Sequence, residues 1–91
     1  MPTVSMFFGI VISMYYEDTG RHNGPHIHAR YQGKSVSISL EDGSVLAGEI
    51  PAKQLRFVQA WIDIHKEDLL ENWQLAISGQ EPFRIAPLQS E

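Results

Sequence analysis

Three of the four histidines, His22, His26 and His28, fall within seven residues. They are the side chains best suited to chemistry at neutral pH, because imidazole titrates near neutrality and serves as acid, base or metal ligand. His26 and His28 are two residues apart, and in a β-strand such residues lie on the same face, about 7 Å from each other. The H-x-H spacing therefore allows two imidazoles to converge on one ion or one anionic group.

The histidine segment is locally basic although the chain as a whole is acidic, with a formal net charge of -4. No acidic residue occurs between Asp18 and Glu41, whereas Arg21, Arg30 and Lys34 all lie in this stretch. The negative net charge argues against electrostatic binding of nucleic acid or an anionic membrane over the whole surface of the protein. It leaves open a local site for an anionic group.

Two functional interpretations rest on this basic segment. In the first, it docks an anionic partner, with Arg30 contacting a phosphate or carboxylate in a bidentate manner. The side chains assigned to that binding site are His22, His26, His28, Arg30 and Lys34. In the second, His26 and His28 act as acid and base on a phosphodiester, as in a small ribonuclease-type toxin. Whether the protein is an enzyme stays open.

Two further interpretations concern the same histidines. His26 and His28 are candidate metal ligands for zinc in a metal-dependent hydrolase, with His22, Glu17 or Asp18 as a third ligand. H-x-H without a closing ligand at a fixed spacing is a weak pattern, so no metal or other cofactor is assigned. Alternatively, the histidines only hydrogen-bond loop carbonyls and help to pack the sheet.

Composition limits the class of protein. Ninety-one residues predict one domain over residues 1–91. The sequence has no cysteine, which excludes disulfides, thiol nucleophiles and cysteine-based zinc sites. The apolar stretch 1–16 lacks a basic leader region and is too short to span a bilayer. We therefore expect a cytoplasmic protein without a membrane segment.

Four predicted strands position the histidines. They cover residues 7–16, 26–32, 34–40 and 45–50, and Asp42-Gly43 predicts a hairpin between the last two. In 34–40 the apolar and serine residues alternate, which is typical of a strand with one face on a core. Ser35, Ser37 and Ser39 then face water, or lie at a strand edge that pairs with a second copy to form a homodimer.

Two predicted helices follow the strands. Pro51 suits the first helical position of a helix over 52–64, and a second helix covers about 66–78. Their apolar stripes contain Trp61 and Trp73, which we expect to cover one face of the sheet. His65, at the junction, is predicted to be half-buried. The tail 82–88 is either a short edge strand or a pinned extended segment. The fold class is α+β, an antiparallel meander of about four strands followed by two helices packed on one face.

Three stretches of the sequence resemble the bacterial DUF4160 family. They are MPTVSMFFGIVI at the N-terminus, P-H-I-H-A at Pro25 to Ala29, and L-L-E-N-W at Leu69 to Trp73. The resemblance covers about residues 1–88. Gly24 departs from the family pattern, because many relatives have a second proline there.

The resemblance implies a small single-domain protein of bacteria or their mobile elements, with no assigned activity and no catalytic residues to carry over. Members are often encoded beside a small DUF2442 protein, an arrangement similar to a toxin–antitoxin cassette. We therefore expect a partner-binding component of such a pair, with a DUF2442-like partner docked on the His/Arg strand face. Nucleic acid stays a possible partner, although the net charge does not support it.

Overall fold

Each strand pairs with the strand that follows it in the chain, which gives a five-stranded antiparallel sheet in the order β1-β2-β3-β4-β5. The computed structural model describes residues 3–14 and 24–88. The strands are β1 (Thr3–Phe7), β2 (Ile10–Ser13), β3 (His26–Tyr31), β4 (Lys34–Ser39) and β5 (Val45–Gly48), and the helices are α1 (Ala52–Ile64) and α2 (Lys66–Ile77). This architecture confirms the predicted α+β class.

The prediction of one strand over 7–16 is wrong, because the chain turns back at Phe8-Gly9 and forms β1 and β2. Phe8 and Gly9 both have positive φ, 53° and 77°. A two-residue loop with positive φ at both positions matches the twist of a hairpin, but phenylalanine rarely occupies it. Phe8 is held there by Phe57 of α1, with ring centroids 4.8 Å apart. Residues 15 and 16 of the predicted strand lie outside the described residues.

The other two hairpins agree with their sequence signals. Gln32-Gly33 connects β3 to β4, again with positive φ at both residues. Gly43, φ 77°, lies in the turn between β4 and β5. In that turn the Ser44 amide donates a hydrogen bond to Asp42 Oδ1 at 3.0 Å, and this bond lowers the pKa of the exposed Asp42 carboxyl.

The hydrophobic core combines one face of the sheet with buried side chains of both helices. We call this sheet face the core face. It carries Ile12, Ala29 and Val36, which pair across β2, β3 and β4 and are buried. Trp61 and Trp73 belong to the same buried cluster, as the apolar stripes predict. The described helices include none that is long and apolar enough to cross a membrane.

The helix ends follow known capping patterns with one shift. Pro51 precedes α1 instead of being its first residue, and its carbonyl accepts the first helical hydrogen bond, from Leu55. At the end of α2, Gly79 has φ 82° and its amide bonds Ala76 O, while the Gln80 amide bonds Leu75 O. This is a Schellman motif, in which glycine is the residue usually found at the left-handed position.

His65 separates the two helices and is half-buried, as predicted. Its amide donates to Trp61 O at 3.0 Å, and its ring centroid lies 5.7 Å from that of Trp61. The residue therefore belongs to the helix junction and packs on the core.

The C-terminal tail is a pinned extended segment, and the alternative of an edge strand is wrong. The Ile85 amide donates to Val4 O at 2.8 Å, which occupies part of the outer edge of β1. The buried Asn72 amide exchanges two hydrogen bonds with the backbone of Phe83, and Trp61 Nε1 donates to Ala86 O. Side chains of both helices thus replace the backbone ladder that a further strand would form.

Gly48 is, among the glycines that the structure describes, the one that the fold requires most. It has φ 78°, and a Cβ atom there would lie 2.3 Å from Ser35 O. We expect Gly48→Ala to cost about 3 kcal/mol, because the methyl group meets backbone that cannot move away. Gly33→Ala is the control, since Gly33 has φ 81° with open space around it and should cost only about 1 kcal/mol. Urea denaturation of both variants measures the difference, and equal losses would contradict this role of the Ser35 contact.

Candidate functional site

The face of the sheet opposite the core face carries His26, His28 and Arg30, and we call it the histidine face. Strand register arranges it in three cross-strand rows. The open row is Met6, Val11, Arg30 and Ser35; the middle row is Ser13, His28, Ser37 and Ala47; the closed row is His26 and Ser39. Exposure falls along β3 from Arg30, which is exposed, through His28, which is half-buried, to His26. One end of the face is therefore accessible and the other is not.

His26 is a packed residue at the start of β3. Its side chain is only 3% exposed. Its Nδ1 donates to Gly24 O at 2.9 Å, since a carbonyl oxygen can only accept, and this assigns the proton to that nitrogen. The ring lies 5.0 Å from Trp73 of α2 and 5.2 Å from His28, measured between centroids. These contacts fit the structural interpretation of this histidine.

His28 lies at the centre of the histidine face and contacts the neighbouring strand. Its Nδ1 is 3.2 Å from Ser37 Oγ, within hydrogen-bond distance. A base beside a hydroxyl is the arrangement of a nucleophilic pair, but Ser37 is only 7% exposed. The serine therefore fixes the orientation of the imidazole and is poorly placed to meet a substrate.

Arg30 is the accessible cation of the histidine face. No hydrogen bond or ion pair joins its side chain to another residue in the described ranges. None of the five strands contains Asp or Glu, so no carboxylate on the sheet competes for the guanidinium. An exposed arginine with no partner among the described residues is well suited to bind an external carboxylate or phosphate.

The other predicted binding residues do not join Arg30. Lys34 pairs with Tyr31, one position beyond the Arg30–Ser35 pair, and so lies on the core face at the end of the sheet. Lys34 is therefore not on the face that carries His26, His28 and Arg30, because the side chains of successive strand residues point to opposite faces, and its role in binding stays a prediction. His22, together with Glu17, Asp18 and Arg21, lies outside the described residues.

A metal site is not formed by the residues whose structure is described. Within 3–14 and 24–88, no group of three histidine, aspartate or glutamate side chains lies close enough to hold an ion. His26 and His28 are near each other, and every third ligand proposed from the sequence lies outside those ranges. The zinc interpretation therefore stays a prediction.

The prediction that the three serines of β4 face water or lie at a strand edge is wrong for two of them. Ser37 and Ser39 are buried, at 7% and 8% exposure, and only Ser35 faces water. Ser39 Oγ accepts the Glu41 amide at 3.1 Å. β4 lies between β3 and β5, so it has no edge at which a second copy could pair. Within the sheet the outer strands are β1 and β5.

Sequence reasoning missed Met6 and Val11 as neighbours of Arg30. Met6 is 55% exposed, and Val11 lies between it and Arg30 in the open row. A single strand over 7–16 cannot place these two side chains opposite each other. The turn at Phe8-Gly9 brings them together, and Gly9 was the only residue in this stretch that indicated a turn.

The comparisons with known proteins identify the family. The model of the Domain of unknown function (DUF4160) matches residues 9–74, which is more than half of the sequence, and the chain therefore belongs to this family. This confirms the resemblance found in the sequence. No curated protein and no solved structure matches the chain.

The different surroundings of His26 and Arg30 predict different effects of their removal. We expect His26→Ala to lower the free energy of unfolding by about 2–3 kcal/mol, because a buried ring and its bond to Gly24 O are lost. Arg30→Ala should change it by less than about 0.5 kcal/mol, as is usual for an exposed residue without partners. Chemical denaturation tests both, and a His26→Ala variant as stable as the wild type would contradict a structural role.

Proposed function

We propose that this protein is the partner-binding component of a toxin–antitoxin-like gene pair, and that it docks an acidic segment of a small partner protein at the Arg30 end of the histidine face. The observation that supports this most is the exposed Arg30 on a sheet without carboxylates. The family resemblance points to a DUF2442-like protein as the partner.

The chemistry of Arg30 favours a carboxylate ligand. A guanidinium offers two parallel N–H donors to the two oxygens of a carboxylate, so that binding also fixes orientation. Among the described residues Arg30 has no ion pair that a ligand would have to replace. Its central position in the sheet, between Val11 and Ser35, places a flat strand surface on both sides of the contact.

The rest of the histidine face acts as a rigid support for this contact. His28 lies two residues before Arg30 on the same strand and is held against Ser37. His26 is fixed by Gly24 and by Trp73 of α2. A binding residue on a strand whose neighbours are locked by packing loses little further freedom on binding, which raises affinity.

A protein partner fits the charge distribution better than a nucleic acid does. α2 contains Glu67, Asp68 and Glu71 against the single cation Lys66. A polyanion that extends over the molecule meets this negative helix and is repelled. A short acidic segment needs only the Arg30 end of the sheet and avoids that repulsion.

The two enzyme interpretations receive less support from the same geometry. A ribonuclease that uses two imidazoles needs both to reach the phosphodiester, within about 3 Å of the protons they transfer. His26 is 3% exposed and its Nδ1 is bonded to the backbone, whereas only His28 is partly accessible. A metal-dependent hydrolase needs a third ligand from outside the described residues.

Charge reversal at Arg30 tests the proposal. The wild type and variants are co-expressed with a DUF2442-like protein, the proposed partner, and complex formation is measured by affinity co-purification and then calorimetry. We expect Arg30→Glu to weaken the complex at least about tenfold, because an attractive contact becomes a repulsive one.

Lys34→Glu is the matched control. It makes the same change of charge four residues away on the opposite sheet face, and it should leave the affinity within about twofold. If Arg30→Glu binds as the wild type does, or if both variants lose binding equally, the Arg30 end of the histidine face is not the docking site.

A further inference from the structure

An apolar cleft opens beside the open row, at the turn between β1 and β2. It has a volume of about 320 Å³ and is lined by Met6, Phe7, Phe8, Gly9, Ile10 and Val11. Met6 is 55% exposed and Phe8 is 40% exposed, so large apolar side chains border its mouth. A concave surface bordered by large apolar side chains can accept an apolar side chain of a partner.

The cleft is formed by side chains that the core holds in place. The Phe8 ring packs on Phe57 of α1 at 4.8 Å and against the Phe7 ring at 6.1 Å, nearly perpendicular to it. Phe7 in turn contacts Trp61, with ring centroids 5.4 Å apart. This chain of aromatic contacts connects the turn to the centre of the core and makes the cleft a preformed feature.

The cleft and the Arg30 site form one continuous surface. Met6 and Val11 line the cleft and also belong to the open row. Val11 is the direct cross-strand neighbour of Arg30, so Met6 and Arg30 lie two strands apart, or about 10 Å. An apolar recess therefore lies next to an exposed cation without a described partner.

We infer that this surface recognises an acidic segment that also carries a bulky apolar side chain, which enters the cleft while a carboxylate about 10 Å away binds Arg30. The inference rests on the proposed function and names the chemistry of its partner. The apolar anchor supplies most of the affinity, because desolvated large side chains dominate interfaces. The carboxylate fixes orientation and excludes partners of the wrong charge.

A random 12-residue peptide library displayed on phage and selected against the full chain tests the inference. We expect the selected peptides to combine Asp or Glu with Leu, Phe or Trp. Their affinities, measured by fluorescence anisotropy of labelled synthetic copies, should fall about tenfold for Arg30→Glu and about tenfold for Met6→Gln.

Two controls accompany these variants. Ile64→Gln replaces another exposed apolar residue, 65% exposed at the end of α1, and Lys34→Glu reverses a charge on the other sheet face. Neither should change the affinity by more than about twofold. Circular dichroism confirms that each variant is folded.

The outcomes separate this inference from the proposed function. If the affinity of acidic peptides falls for Arg30→Glu but not for Met6→Gln, the cleft has no role in recognition, and the docking of an acidic segment at Arg30 still stands. If the selected peptides are apolar and their affinity is unchanged for Arg30→Glu, the joint recognition of an apolar side chain and a carboxylate is wrong. That result also counts against the proposed function. If no peptide is enriched over the bare support, the inference is wrong.

Discussion

The cross-strand register of β2, β3 and β4 is the constraint on which the rest of the structure depends. The same pairing that stacks Ile12, Ala29 and Val36 on the core face aligns Val11, Arg30 and Ser35 on the other face. A slip of one residue would expose the first set and bury the second, at the cost of most of the core. The position of the proposed binding surface is therefore determined by the burial of the apolar residues on the core face, and Arg30 needs no contact of its own to be placed.

The histidine face divides into a supporting end and an accessible end. Buried polar groups cost stability unless they form hydrogen bonds, and His26 and Ser39 each bond to backbone. The hydrogen bond between His28 and Ser37 satisfies part of the hydrogen-bonding capacity of both side chains. In the open row Met6, Arg30 and Ser35 are exposed. The two histidines of the H-x-H motif thus lie at the supporting end of the histidine face. Arg30, two residues after His28, makes the proposed contact.

Much of the fold could be predicted from the sequence because its patterns are local. The alternation of apolar and serine residues predicted β4, and the 3.6-residue period of apolar residues predicted both helices. Gly33 and Asp42-Gly43 indicated turns, and Gly79 indicated a helix cap. Phe8-Gly9 was missed because phenylalanine carries no turn signal, and its conformation is stabilised by a distant partner, Phe57.

The candidate site was predicted only in part for the same reason. The shared face of His26, His28 and Arg30 follows from strand periodicity alone. The burial of Ser37 and Ser39, the placement of Lys34 on the other face, and the approach of Met6 and Val11 to Arg30 all depend on register and on the missed hairpin. A single strand considered by itself contains none of this information.

Mapping the complex by backbone amide chemical shifts tests the central claim most directly. The isotopically labelled chain would be titrated with a DUF2442-like protein, the proposed partner. We expect the largest shifts on the open row, Met6, Val11, Arg30 and Ser35, with little change along Lys66–Ile77. Largest shifts on α2, or an undisturbed open row in a complex that forms, would contradict it.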